Sequence, residues 1–199
     1  MPEPSTQPPP LYYNDLDATL AEAWRLLTRG AVDRRSPVHT PCVATVGLDG
    51  LPKLRTVVLR HTDPILRRLR FHTDRRSGKL AEFAANAAVQ VLGYDPARKI
   101  QLRVSGTAHP HHADDYAHAA WQRSQAQSQL CYRQNAAPGT PASDAVAALA
   151  PAAHDGEDNF TAVEIAVTEI EWLYLAAQGH RRARFTWRDN HLHSEWLAP

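Results

Sequence analysis

The sequence predicts a mainly β fold, an antiparallel β-barrel with peripheral helices, and three observations carry that expectation. About seven short apolar runs show the two-residue alternation or β-branched content of strands. Turn signals such as LDG and DPARK join several of them as hairpins, and only a few stretches switch to a helical period. A parallel α/β sheet needs a crossover helix between successive strands, and these helices are too few.

Residues 1–10 hold five prolines and no core-forming side chain, so they read as a disordered tail ahead of a single domain over 11–199. From Asn14 or Asp15, both good N-caps, Leu16, Leu20, Trp24 and Leu27 recur at helical spacing until Gly30 offers a stop. CVATVG and LPKLRTVVLR read as a hairpin. LRRLRFHT reads as a third strand, which feeds a short helix around Leu80, Phe83 and Ala87 through the polar loop DRRSGK. A second hairpin, AVQVLGY to IQLRVSGTA, puts Ile100, Leu102 and Val104 on the core side and Gln101, Arg103 and Ser105 on the other. HADDYAHAAWQRSQAQSQL has helical composition, and 135–156 is an Ala/Pro-rich stretch that reads as a long loop. FTAVEIAVTEIEWLYLA, RRARFTWR and HLHSEWLAP supply three more strands.

Composition narrows the function. With 43% hydrophobic and 22% charged residues the chain is an ordinary globular one, and a net charge of +1 gives no general attraction to nucleic acid or to an acidic membrane. There is no run long enough for a membrane helix and no apolar secretory core at the start, so a cytoplasmic setting is expected. Cys42 and Cys131, the only cysteines, form no CxxC pair and read as small buried hydrophobes. GxGxxG, GxxxxGK[ST], HExxH and GxSxG are all missing. His109, His111 and His112 sit beside Pro110 at a strand-to-helix junction, with a spacing that reads as a solvated turn, so no metal site is expected.

The informative signal is cationic. Arg55 and Arg60 flank TVVL, and His72, Thr73, Arg75, Arg76, Ser77 and Lys79 occupy the junction that follows. Lys and Arg beside free backbone N–H groups at a helix start suit a phosphate. Gln101, in mid-strand, can hydrogen-bond a heterocycle edge or a neighbouring backbone.

RTVVLR, FHTDRRSGK, RKIQLRVSGTA, a late tryptophan followed ten residues on by arginine, and the ending WLAP together resemble the pyridoxamine 5′-phosphate oxidase family of FMN-binding split barrels, from about residue 37 to the C-terminus. The resemblance implies a six-stranded antiparallel Greek-key split barrel that forms a homodimer, with FMN in two clefts at the subunit interface. It implies that Arg55 and Lys79 hold the FMN phosphate, and that His72, Thr73 and Ser77 belong to the same cofactor-binding motif. It also implies that Arg60 and the backbone of Thr56, Val57 and Val58 lie on the flavin side, and that Gln101, Trp172 and Arg182 reach it, the last two from the partner. Gly78 stands where the family has an arginine, a charge Arg75 or Arg76 is placed to replace. On the substrate side the resemblance implies Arg123, Ser128 and His180, with His180 the one candidate acid or base. Gln178 replaces the first arginine of the family's Arg–x–His–x–Arg run. The function expected is an FMN-dependent oxidoreductase of unassigned small-molecule substrate. The alternatives are a genuine pyridoxamine 5′-phosphate oxidase and a non-catalytic flavin-binding protein.

Overall fold

A computed structural model describes residues 10–142, 155–175 and 179–199, so the expected tail, the middle of the 135–156 loop and Gln178 lie outside the described residues. Helix α1 spans Leu16–Val32 and is capped by Asp15, whose carboxylate accepts from the Ala18 N–H at 2.8 Å. Its inward face buries Ala23, Trp24, Leu26 and Leu27. Gly30 does not stop the helix as expected. It marks a close approach, because a Cβ there would lie 2.8 Å from the Val38 carbonyl oxygen.

Nine antiparallel strands follow, rather than the six or seven expected: β1 (Cys42–Val46), β2 (Pro52–Thr56), β3 (Leu59–Asp63), β4 (Arg68–Asp74), β5 (Ala88–Asp95), β6 (Ile100–His111), β7 (Phe160–Tyr174), β8 (Arg181–Arg188) and β9 (His191–Leu197). Helix α2 (Lys79–Ala85) lies between β4 and β5, and α3 (Asp115–Gln122) and α4 (Ala126–Gln129) follow β6. The strand order is β2-β1-β5-β6-β7-β4-β3, with β8 on the far half of β7 and β9 on β8.

One expected strand, LPKLRTVVLR, is broken into β2 and β3 at Val57 and Val58. Those two strands occupy opposite edges of the seven-strand path yet are joined by two residues, so the sheet has to curl until its edges meet. The Val57 N–H donates to the Pro41 carbonyl at 3.0 Å and holds the crossing against the start of β1.

The core lies inside the curl, where Val43, Phe71, Val91, Ile100, Leu102, Val104, Ile170 and Phe185 are buried. Strand β6 keeps the expected alternation, with Gln101, Arg103 and Ser105 half-buried on the outer face. Cys42 is half-buried and Cys131 exposed, so neither is the buried hydrophobe expected. No helix among the described residues is long and apolar enough to cross a membrane.

A bulge between Ser105 and Gly106 brings β6 close to β7, and a Cβ on Gly106 would lie 2.4 Å from the Ala166 carbonyl oxygen. Gly106→Ala is expected to cost about 1–3 kcal/mol, read from urea unfolding. An unchanged midpoint would mean that this contact relaxes freely.

Candidate functional site

At the mouth of the barrel, Arg55 on β2 pairs with Val43 and shares its core-facing side, while Thr73 alternates inward at the end of β4. Lys79 opens α2 beside them. Its ammonium donates to Thr73 Oγ1 at 2.8 Å and to Ser77 Oγ at 2.6 Å. Burial, and then the nearby Arg55 charge, lower its pKa. Arg55 donates to Thr45 Oγ1 at 2.5 Å and to Glu82 Oε2 at 2.7 Å. The structure thus joins Lys79, Thr73 and Ser77 by hydrogen bonds, with the Arg55 charge close by, in one half-buried cradle. Helix α2 has only seven residues and its Gly78 cap donates no side chain, so the cations and hydroxyls carry the cradle's chemistry.

Two residues absent from the sequence reading complete that cluster. Thr45 donates to Glu82 Oε2 at 2.5 Å, closing a ring of Arg55, Thr45 and Glu82. Burial acts to raise the Glu82 pKa, but the hydrogen bonds from Thr45 and Arg55 outweigh it and hold the carboxyl below its ordinary value. A contact across 27 residues leaves no local signature.

A second cluster lines a cavity of about 330 Å³ between the end of α1, β3, β4 and the α3–α4 segment. Arg34, Arg60, Arg70 and Arg123 border it with His61 and His72; among the described residues no carboxylate lines it, and Glu164 stands beside it as the β7 partner of Arg70. Arg60 Nη2 donates to Ser128 Oγ at 3.3 Å, so Arg60 joins the substrate candidates Arg123 and Ser128 here. His72 alternates with Thr73 and faces the other side of β4, where its ring packs edge-on against Phe160 at 4.7 Å. Its Nε2 is buried without a hydrogen-bond partner, as is Arg70 Nε. Burial, with Arg70 and Arg60 close by, lowers the His72 pKa to about 3. Arg34, His61 and Arg70 were not singled out from sequence; the arginines alternating in LRRLRFHT were the available signal.

The remaining candidates lie elsewhere. Gln101 and Arg182 share the outer face through Leu173, and Arg103 and Arg182 both donate to the buried Glu171 at 2.8 Å. Arg55 faces the opposite side of the sheet. Trp172, expected as a flavin contact, is a core residue in this chain: it is 0% exposed and is covered by Tyr13 at 5.3 Å. His180 is exposed next to Arg181, which bonds Asn14, and is outside both clusters. Thr56 is exposed on the outer face beside Cys42, and Val57 and Val58 form the edge crossing.

Arg76 is committed to a structural clamp. It pairs with Asp74 at 2.7 Å and donates to the carbonyls of Gln134 and Asn135 at 3.0 Å, while Arg75 is exposed. His111 and His112 go to separate partners, Asp114 and the Phe160 carbonyl.

Residues 21–112 match the family model described as the FMN-binding domain of pyridoxamine 5′-phosphate oxidase. Over those residues, just under half of the chain, the sequence is similar to that family. The match spans β1 to β6, and so takes in both the cradle and the β3–β4 wall of the cavity. No curated protein matches the chain. Among solved structures, a pyridoxamine 5′-phosphate oxidase-related FMN-binding protein from Nostoc punctiforme superposes with a TM-score of 0.71 at 22% identity, covering 97% of this chain and 100% of that one. PhzG from Burkholderia lata does so with a TM-score of 0.73 at 21% identity, covering 98% and 100%. These likenesses establish the oxidase-like split-barrel fold.

The buried neutral imidazole of His72 gives the chain a pH signature. Its folded pKa lies below the value in the unfolded chain, so the unfolded state takes up the proton first as pH falls. Stability is expected to decline from about pH 7 toward pH 4, and His72→Phe, which keeps the packing on Phe160, should flatten that decline. Urea unfolding across this range checks it; an unchanged slope in the variant would contradict the assignment.

Proposed function

We propose that the chain binds FMN and acts as a flavin-dependent oxidoreductase on an anionic small molecule, as a homodimer. The observation that carries the cofactor reading is the cradle: Lys79 hydrogen-bonds Thr73 and Ser77, and the Arg55 charge lies near enough to lower the Lys79 pKa. Two cations and two hydroxyls are a donor set that fits the terminal oxygens of a phosphate monoester. The family's domain binds FMN, which agrees with that chemistry.

The dimer follows from the division of the candidates between two faces. Arg55 and Lys79 open inward at the barrel mouth, whereas Gln101 and Arg182 point outward from β6 and β8. A second copy of the chain, presenting its outer face to the mouth of the first, supplies both halves to one flavin. The outer face of β1, β2 and β5 also carries exposed Val46, Leu54, Leu92 and Tyr94, apolar surface suited to a contact between copies.

Bound FMN supplies reversible two-electron chemistry at its ring. The chain's own residues bind and orient. Arg55 and Lys79 anchor the phosphate, Gln101 can hydrogen-bond the ring edge, and the cavity around Arg60, Arg70 and Arg123 attracts a negatively charged substrate. PhzG is a protein solved with a carboxylic acid bound, tetrahydrophenazine-1-carboxylic acid, which accords with an acidic substrate here.

A second reading, a genuine pyridoxamine 5′-phosphate oxidase, is favoured by the meeting of Arg60 and Arg123 at one cavity, with Arg60 also reaching Ser128, since a phosphate-bearing substrate suits those donors. Turnover of pyridoxamine 5′-phosphate by FMN-loaded protein, with Arg123→Ala raising KM roughly tenfold, would establish it. No turnover would leave the oxidoreductase with another acidic substrate. Flavin that neither accepts nor returns electrons would make the chain a flavin-binding protein only.

The cofactor reading is tested by Arg55→Ala combined with Lys79→Ala. Loss of two charge-assisted contacts should weaken FMN binding by about 3 kcal/mol or more, over a hundredfold, while circular dichroism stays unchanged. Full FMN affinity in the folded double variant would refute the placement.

A further inference from the structure

The cradle contains a carboxylate where an anion-binding site would be expected to exclude one. Glu82 projects from α2 onto Arg55, with Oε2 at 2.7 Å from Arg55 Nη2 and at 2.5 Å from Thr45 Oγ1. Thr45 accepts from Arg55 with the same hydroxyl that donates to Glu82, so the three groups form a closed ring. Lys79 is turned away from that ring, toward Thr73 and Ser77. Of the cradle's two cations, one is therefore already neutralised and the other is not. The Glu82 side chain is only 12% exposed and that of Arg55 24%, so water screens the carboxylate weakly from whatever occupies the cradle.

We propose that Glu82 is an internal counter-ion of the phosphate cradle, holding Arg55 in the empty protein and setting an upper limit on how tightly a phosphate-bearing ligand binds. The inference rests on the reading of Arg55 and Lys79 as phosphate contacts. Without an anion, two cations this close repel, and Glu82 offsets that repulsion by accepting from Arg55. With a phosphate present, the same carboxylate stands beside a second negative group and shares Arg55 with it. Binding then proceeds against that repulsion, or requires Glu82 to leave Arg55. Either way the carboxylate trades affinity for a stable empty state. A recess carrying a net single positive charge also discriminates between phosphate and uncharged ligands less sharply than two free cations would.

The test compares FMN with riboflavin, which has the same ring and no phosphate, in binding titrations followed by flavin fluorescence. Glu82→Gln keeps the shape and a hydrogen-bond acceptor while removing the charge. It should tighten FMN binding roughly tenfold and leave riboflavin binding unchanged. Glu82→Ala, neutral and a good helix former in α2, should move FMN in the same direction. Both variants should also lower the melting temperature of the flavin-free protein, since the nearby Arg55 and Lys79 charges then lack Glu82 between them as a counter-ion. The Arg55→Ala and Lys79→Ala double variant is run beside them. If that variant binds FMN at full affinity, the phosphate reading itself fails and the role of Glu82 falls with it. If it loses FMN while both Glu82 variants bind FMN no more tightly than the native chain, the phosphate reading stands and Glu82 is a positioning residue for Arg55. Equal tightening of FMN and riboflavin would likewise overturn the proposal, because the effect would not act through the phosphate.

Discussion

The two-residue link between β2 and β3 is the constraint on which the rest of the molecule depends. Val57 and Val58 join strands at opposite edges of the sheet, so the backbone has no arrangement other than one in which the sheet curls and its edges meet. Curling creates an interior for Phe71, Ile170 and Phe185, and it creates a mouth. The same short crossing fixes the two arginines that flank it. Arg55, before the link, faces the core side at the mouth; Arg60, after it, borders the cavity under α3 and α4. One covalent constraint thus sets the barrel and divides its cations between two sites.

Charge in those two sites is handled in contrasting ways. At the mouth, Arg55 is matched by Glu82, and Lys79 is held by hydroxyls alone. In the cavity no carboxylate of the described residues lines the wall, Glu164 stands beside it as the β7 partner of Arg70, and the buried His72 ring near Arg60 and Arg70 stays neutral to about pH 3. Four arginines around one cavity with so few carboxylates cost free energy unless an anion joins them, which is the usual mark of a surface built for a ligand. The outer face follows the first pattern: Glu171 is shared between Arg103 and Arg182. A cofactor phosphate at a partly neutralised mouth and an acidic substrate at an unneutralised cavity are the pair of ligands that this distribution best suits.

Much of this was legible in the sequence, for reasons that are local. The alternation of IQLRVSGTA fixed which side of β6 is core because a strand has a period of two, and the cations of RTVVLR and DRRSGK are bracketed by that same pattern. The break at Val57 and Val58 was not legible, since two valines continue the β-branched run and nothing in them signals a strand moving to the opposite edge. Gly30 was misread because a glycine that admits a neighbouring carbonyl looks, in sequence, like one that ends a helix. The burial of Trp172 was not legible for a different reason: strand alternation puts it on the core side, but its cover is Tyr13, 159 residues earlier. Glu82 escaped notice because its partners Thr45 and Arg55 come from a hairpin far back in the chain.

The central claim is that one FMN is held between the mouth of one chain and the outer face of a second. Sedimentation velocity of the purified protein with added FMN, followed at the flavin's visible absorbance, tests it most directly. The account predicts flavin colour moving with a dimer, at one FMN per chain. Colour moving with a monomer would contradict the shared site, and protein that sediments colourless would contradict the cofactor.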